Sequence, residues 1–140
     1  MLSKKRTVSE LLNEWRFDEE LQQNIVSTHT VDALPAHYAD FPDQLHPSIK
    51  KALEARGIQQ LYTHQRQAFD FAQEGKHFTA ITPTASGKSY CYHLPVLQQI
   101  LQDKSSRAIY LFPTKALAQD QKSDLNELIE QMDEDILSYT

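Results

Sequence analysis

The sequence predicts an α/β fold: an incomplete parallel sheet over residues 45–140, preceded by a helical extension and linker over residues 1–44. Three observations carry this expectation. Apolar residues recur at helical spacing up to about residue 76 and then collect in short β-branched and aromatic runs at 77–82 and 107–112. These runs alternate with helical stretches, and strand, helix, strand, helix, strand is the pattern of a parallel sheet with crossover helices. Glycine is scarce, with three in 140 residues, so each one marks a place where the backbone needs it.

The elements follow in order. Thr7 and Glu10 have the spacing of a capping box, and Val8, Leu11, Leu12 and Trp15 then lie on one helical face. A second short helix is centred on Leu21 and Ile25. Residues 31–47 hold Pro35, Pro42 and Pro47 among scattered aromatics and read as an extended linker. Pro47 opens a helix with Ile49, Ala52 and Leu53 inward, stopped at Gly57. The next helix starts after Thr63, with Gln65, Ala68, Phe69 and Ala72 on one face and Gly75 at its end. His77 to Thr82 reads as a buried strand. Lys88 to Asp103 reads as a helix interrupted by Pro95, which has no N–H to donate. Arg107 to Phe112 is the second strand. Thr114 caps a long helix with the stripe Leu125, Leu128, Ile129 and Met132, and Ile136 to Thr140 begins a third strand. Trp15 and Cys91 read as packing residues.

Composition narrows the function classes. The longest apolar runs are a few residues, against the ~20 that cross a bilayer, so no membrane partner is expected. The N-terminus lacks a secretory apolar region, which predicts a cytoplasmic location. One cysteine, Cys91, excludes an internal disulfide and a cysteine-based metal site. The net charge of −5 argues against nucleic acid until its distribution is seen. Residues 116–140 carry one base and seven acids, whereas 77–119 carry four bases (Lys88, Lys104, Arg107, Lys115) and one acid, Asp103. The local balance favours an anionic partner.

The third glycine lies in Thr82, Pro83, Thr84, Ala85, Ser86, Gly87, Lys88, Ser89, between a strand and a helix. It ends in the Gly-Lys-Ser of a phosphate-binding loop. In such a loop successive backbone N–H groups and the helix N-terminus face the phosphates. Gly87 admits close approach, Lys88 reaches the β- and γ-phosphates, and the Ser89 hydroxyl can ligate Mg²⁺. Thr82 stands where the motif has its first glycine. The bland alternative is a polar turn with Ser89 as a helix cap. Two further segments weigh against it. Gln65 carries the donor and acceptor that an adenine edge requires. Pro113, Thr114 and Lys115 stand at the carboxyl end of the second strand, where α/β sheets bind ligands, and offer a hydroxyl, an N–H and a charge to a phosphodiester.

Taken together, Gln65, residues 82–89 and Pro113 to Leu117 resemble the Q motif, motif I and motif Ia of the first RecA-like domain of superfamily two helicases, the DEAD/DEAH-box type. Arg56-Gly57-Ile58, Leu61 to Gln65, Cys91 to Leu97 and Tyr110 to Gln121 are similar to one branch. That branch comprises the RecQ-related DNA helicases with a C-terminal four-cysteine zinc module, the mitomycin-repair helicases among them. The resemblance covers about residues 45–121. It implies an incomplete RecA-like P-loop parallel sheet and an ATP-dependent helicase that uses Mg²⁺ and translocates 3′ to 5′ on single-stranded DNA in DNA repair, with RNA as the alternative nucleic acid. It also implies Lys88 as the catalytic residue, Gln65 on the adenine, Thr82 to Ser89 on the triphosphate, Ser89 on the metal, and Pro113, Thr114 and Lys115 on the nucleic acid. Where DEAD-box proteins stack an aromatic on adenine, seventeen residues before Gln65, stands Ser48.

The acidic Asp-Glu-x-His or Asp-Glu-x-Asp motif, a second RecA-like domain and the zinc-module cysteines do not occur among the 140 residues. Asp133-Glu134-Asp135 reads as a solvated helix end. The chain therefore reads as the front of a helicase, truncated before the acidic Mg²⁺-binding motif and expected to be inactive in hydrolysis alone. The competing classes are a non-catalytic adaptor docking a protein through its N-terminal helices, and an unrelated P-loop enzyme such as a small-molecule kinase. Gln65 and the Pro-Thr-Lys-Ala-Leu segment count against the kinase.

Overall fold

The computed structural model describes residues 6–29, 31–32, 35–83 and 86–136. It divides into two compact units, Met1–Pro35 and Ala36–Thr140. In the first unit, α1 (Val8–Phe17) starts at the expected capping box: the Thr7 hydroxyl accepts from Glu10 N, and the Glu10 carboxylate accepts from Thr7 N. Asp18 then caps α2 (Glu19–Asn24) through Glu20 N and Leu21 N. Neither helix has a buried residue. Trp15, expected to pack, is exposed with Val8 and Leu12.

The second unit is a helical layer. His46 caps α3 (Pro47–Ala55), whose first residue is the proline that suits that place. A two-residue bridge joins β1 (Tyr38–Ala39) antiparallel to β2 (Leu61–Tyr62), pairing Tyr38 with Tyr62. The part of the expected linker from Ala36 onward thus belongs to this unit. Next come α4 (Thr63–Gln73), α5 (Ser89–Gln102, with Pro95 inside) and α6 (Lys115–Met132). Ile49, Leu53, Leu61, Phe69, Leu94, Leu97, Leu128 and Met132 form the centre of the core.

Side chains lock the layer. Arg56, at the end of α3, donates to Asp124 Oδ1 at 3.0 Å and to the Asp124 carbonyl at 3.0 Å on α6, and to the Tyr90 hydroxyl at 3.1 Å on α5. Gln98 on α5 accepts from His46 N and donates to the Gln44 carbonyl, tying down the entry to α3. Glu134 is not merely solvated: it accepts from the Ser48 hydroxyl at 2.8 Å and from Lys104 at 3.2 Å. Those two partners, Ser48 first, hold its carboxyl below the usual carboxylate range.

The described residues are consistent with an incomplete α/β domain, six helices and a two-stranded sheet, but the expected parallel pairing is not formed among them. Among the described residues the one sheet is the antiparallel β1–β2 pair. Residues 77–82 and 107–112 form no strand. A strand exists only through its ladder, and neither segment has a partner here. Instead of lying buried, Ile81, Ile109 and Leu111 are each nearly nine-tenths exposed. Residues 137–140 of the expected third strand lie outside the described residues, and Ile136 is not in a strand. An open groove of about 1060 Å³ runs between α5, α6 and the 104–112 segment, lined by Val96, Ile100, Tyr110, Phe112 and Ile129.

Candidate nucleotide-binding site

The loop between residue 82 and α5 is held from three sides. Lys88 turns its ammonium back into the loop, donating to the Thr82 carbonyl at 3.0 Å, Thr82 Oγ1 at 3.1 Å, the Pro83 carbonyl at 2.6 Å and Ser86 Oγ at 3.3 Å. The Thr82 and Ser86 hydroxyls bond each other across the same opening. Thr82, where the motif has a glycine, thus supplies two oxygens to Lys88. Thr84 and Ala85 lie outside the described residues.

The second side is α4. Gln65 is 3% exposed. Its Nε2 donates to the Gly87 carbonyl at 2.8 Å, and its Oε1 accepts from Tyr62 N at 2.9 Å. His64 Nε2 donates to the Ser86 carbonyl at 2.9 Å, which sets its tautomer. Gly87 has φ +70°, and a Cβ there would lie 2.6 Å from Gln65 Nε2. The glycine is therefore required twice, by the left-handed backbone and by the amide pressed against it.

Ring stacking flanks this contact. Tyr62 stacks on His64 with centroids 5.5 Å apart, and Tyr38 stacks on Tyr62 at 5.1 Å. Sequence reasoning missed Tyr38: it is brought here by a bridge of two residue pairs, too short to leave any periodic trace. Ser48, at the position compared with the family's stacking aromatic, is committed to Glu134.

The third side is the start of α5. No side chain caps this helix. Tyr90 N and Cys91 N bond back to the Gly87 and Lys88 carbonyls, and the positive end of the helix dipole faces the loop. Ser89 Oγ donates to Gln121 Oε1 at 2.9 Å. Cys91 is buried, which raises its thiol pKa.

These residues fit a polyphosphate with a divalent cation. Lys88 brings its positive charge to the loop, where it is held by loop oxygens, and the Ser89 hydroxyl keeps its lone pairs once its proton is given to Gln121.

The expected nucleic-acid residues lie elsewhere. Thr114 caps α6, its hydroxyl accepting from Leu117 N at 3.2 Å, and Pro113, Thr114 and Lys115 are exposed. Among the described residues no hydrogen bond joins these three to the loop. α6 reaches the loop further along, through Gln121.

Known helicases resemble the chain along most of its length. The chain is 50% identical over 137 residues to the uncharacterized ATP-dependent helicase YprA of Bacillus subtilis, covering 98% of the chain and 18% of that relative. It is 38% identical over 129 residues to the ATP-dependent helicase hrq1 of Schizosaccharomyces pombe, covering 90% of the chain and 12% of the relative. Among solved structures it matches the DUF1998 helicase MrfA bound to DNA and AMPPNP, with TM-score 0.78 and 48% identity, covering 96% of this chain and 18% of that one. The chain thus spans under a fifth of the length of these relatives. The model of the DEAD/DEAH box helicase family matches residues 62–139, a stretch that takes in Gln65, the loop and Thr114. The chain belongs to the DEAD/DEAH box helicase family.

Proposed function

We propose that this chain is the ATP-binding front portion of an ATP-dependent helicase that moves 3′ to 5′ on single-stranded DNA in DNA repair, in the cytoplasm. The observation that carries the nucleotide reading is the bond from Gln65 to the Gly87 carbonyl, which joins the Q-motif residue to the phosphate-loop glycine across 22 residues. Lys88 binds the β- and γ-phosphates by leaving its loop oxygens for theirs. Thr82, Pro83, Thr84, Ala85, Ser86 and Gly87 wrap the triphosphate, and Ser89 holds Mg²⁺. The cation supplies charge neutralisation of the phosphates when bound. Gln65 retains one amide hydrogen and one carbonyl lone pair beyond its two bonds, the pair that an adenine edge needs. Pro113, Thr114 and Lys115 meet the DNA backbone, a reading supported by a homologous helicase solved with DNA.

The test is equilibrium binding of a fluorescent ATP analogue to the full chain. Lys88→Ala should weaken binding at least about tenfold, because charge-assisted bonds to phosphate are the strong ones. Equal binding by the two proteins would refute the assignment. A second reading, docking of a protein partner, rests on the exposed Val8, Leu12 and Trp15 of α1. Deletion of residues 1–35 with unchanged nucleotide binding but lost partner capture would favour it for that unit alone.

A further inference from the structure

Gln121 belongs to none of the three motifs, yet its amide oxygen accepts from two hydroxyls beside the loop. It takes the Ser89 hydroxyl at 2.9 Å and the Tyr92 hydroxyl at 2.6 Å. Two donors fill the two lone pairs of an amide oxygen. With Oε1 turned toward them both hydroxyls donate; the opposite amide orientation would make them accept from N–H instead. Gln121 is partly buried, and the helix that carries it is anchored by Leu125, Leu128, Ile129 and Met132 in the core. The acceptor is therefore held in place by packing rather than by the loop.

A serine hydroxyl has one proton. With that proton given to Gln121, Ser89 can act only as an acceptor, and its lone pairs are left for whatever lies on the loop side. Building on the nucleotide reading, we propose that Gln121 is a positioning residue for cation binding: by taking the Ser89 proton it turns the hydroxyl lone pairs toward Mg²⁺. Groups that orient a metal ligand from behind commonly alter metal affinity 10–100-fold when removed. A merely structural tie between α5 and α6 would change stability and leave the Mg²⁺ requirement alone.

The experiment measures binding of a fluorescent ATP analogue to the full chain as Mg²⁺ is titrated, with a parallel series in EDTA. Gln121→Met keeps the helix and the side-chain length but offers no amide oxygen. It should raise the half-saturating Mg²⁺ concentration about tenfold and leave metal-free nucleotide affinity unchanged. Gln121→Glu retains an acceptor and should restore most of the wild-type requirement. In a Ser89→Ala background, Gln121→Met should add nothing, because its effect is routed through that hydroxyl. An unchanged Mg²⁺ requirement in Gln121→Met, or an undiminished effect in the Ser89→Ala background, overturns the proposal. If Gln121→Met fails to fold, Gln121→Asn, which withdraws the oxygen from Ser89 by one methylene, gives the same readout. Lys88→Ala separates the two levels. If it binds nucleotide like wild type, the nucleotide reading falls and this inference with it. If it loses binding while Gln121→Met keeps the wild-type Mg²⁺ requirement, this inference alone is wrong.

Discussion

Leu128 and Leu111 are the same side chain in the same unit, and they end in opposite places: 1% exposed on α6 and 89% exposed on the segment before it. The difference lies in the backbone. A helix closes its hydrogen bonds within itself, so an apolar stripe such as Leu125, Leu128, Ile129 and Met132 needs only a surface to lie on. α3 and α5 supply one. An extended segment leaves its backbone groups open until it finds strands to pair with. Residues 107–112 have the composition of a buried strand and no ladder: Tyr110 packs against the core on one side, while Ile109 and Leu111 stay in solvent on the other. For Ile109 and Leu111 exposure follows from the unpaired outer face of the segment, not from side-chain hydrophobicity.

The largest effect that tests this contrast is in the helical layer. Phe69→Ala empties the centre of the core and should cost about 3–5 kcal/mol in urea unfolding. A cost near zero would mean that the helices are not what holds the unit together.

Next is pH. His93 on α5 is 1% exposed, its Nε2 has no hydrogen-bond partner among the described residues, and burial pushes its pKa down to about 4. In the unfolded chain it titrates near 6.5. Between those values the unfolded state binds the extra proton. The contribution is therefore complete above the unfolded value and is lost as pH falls toward about 4, on the order of 3 kcal/mol in all. Unfolding free energies at pH 7 and pH 4.5 should converge in His93→Phe relative to wild type. An equal pH slope in both would assign the effect to the carboxylates instead.

Smaller still is the cap of α6. Thr114→Ala removes the acceptor for Leu117 N and should cost about 1 kcal/mol, with Thr114→Ser near wild type. The smallest effect is expected on the exposed segment: Leu111→Ser should lie within about 0.5 kcal/mol of wild type and should reduce self-association in sedimentation. A penalty comparable to that of Phe69→Ala would break the comparison, since it would require a partner for residues 107–112.

The parts of the fold legible in the sequence are those decided within a few residues. The capping box of Thr7 and Glu10, Pro47 at the start of α3 and Thr114 at the start of α6 are local signals, and each opens the helix expected of it. The segments 77–82 and 107–112 are strand-like in composition, but a strand depends on pairing, which composition does not contain. In the site, the loop residues could be named from their motif. The group that holds Ser89 could not, since Gln121 meets it across 32 residues; nor, in the helical layer, could the pair of Arg56 and Asp124, 68 residues apart. A glutamine or an arginine on a helix face looks solvent-directed until its partner is known. Gln65 lies between the two cases. Its importance was legible, but its burial between Tyr62 and Gly87 was not.

The Lys88 ammonium has three protons and four oxygens of its own loop within 3.3 Å. Any anion that recruits it enters an exchange rather than an empty contract, and its affinity is the difference between what it offers and what Thr82, Pro83 and Ser86 already provide. A singly charged ion competes poorly in such an exchange. A chain of phosphates, with several oxygens and several charges delivered together, competes well. The loop's own oxygens thereby set a threshold that an incoming anion has to exceed.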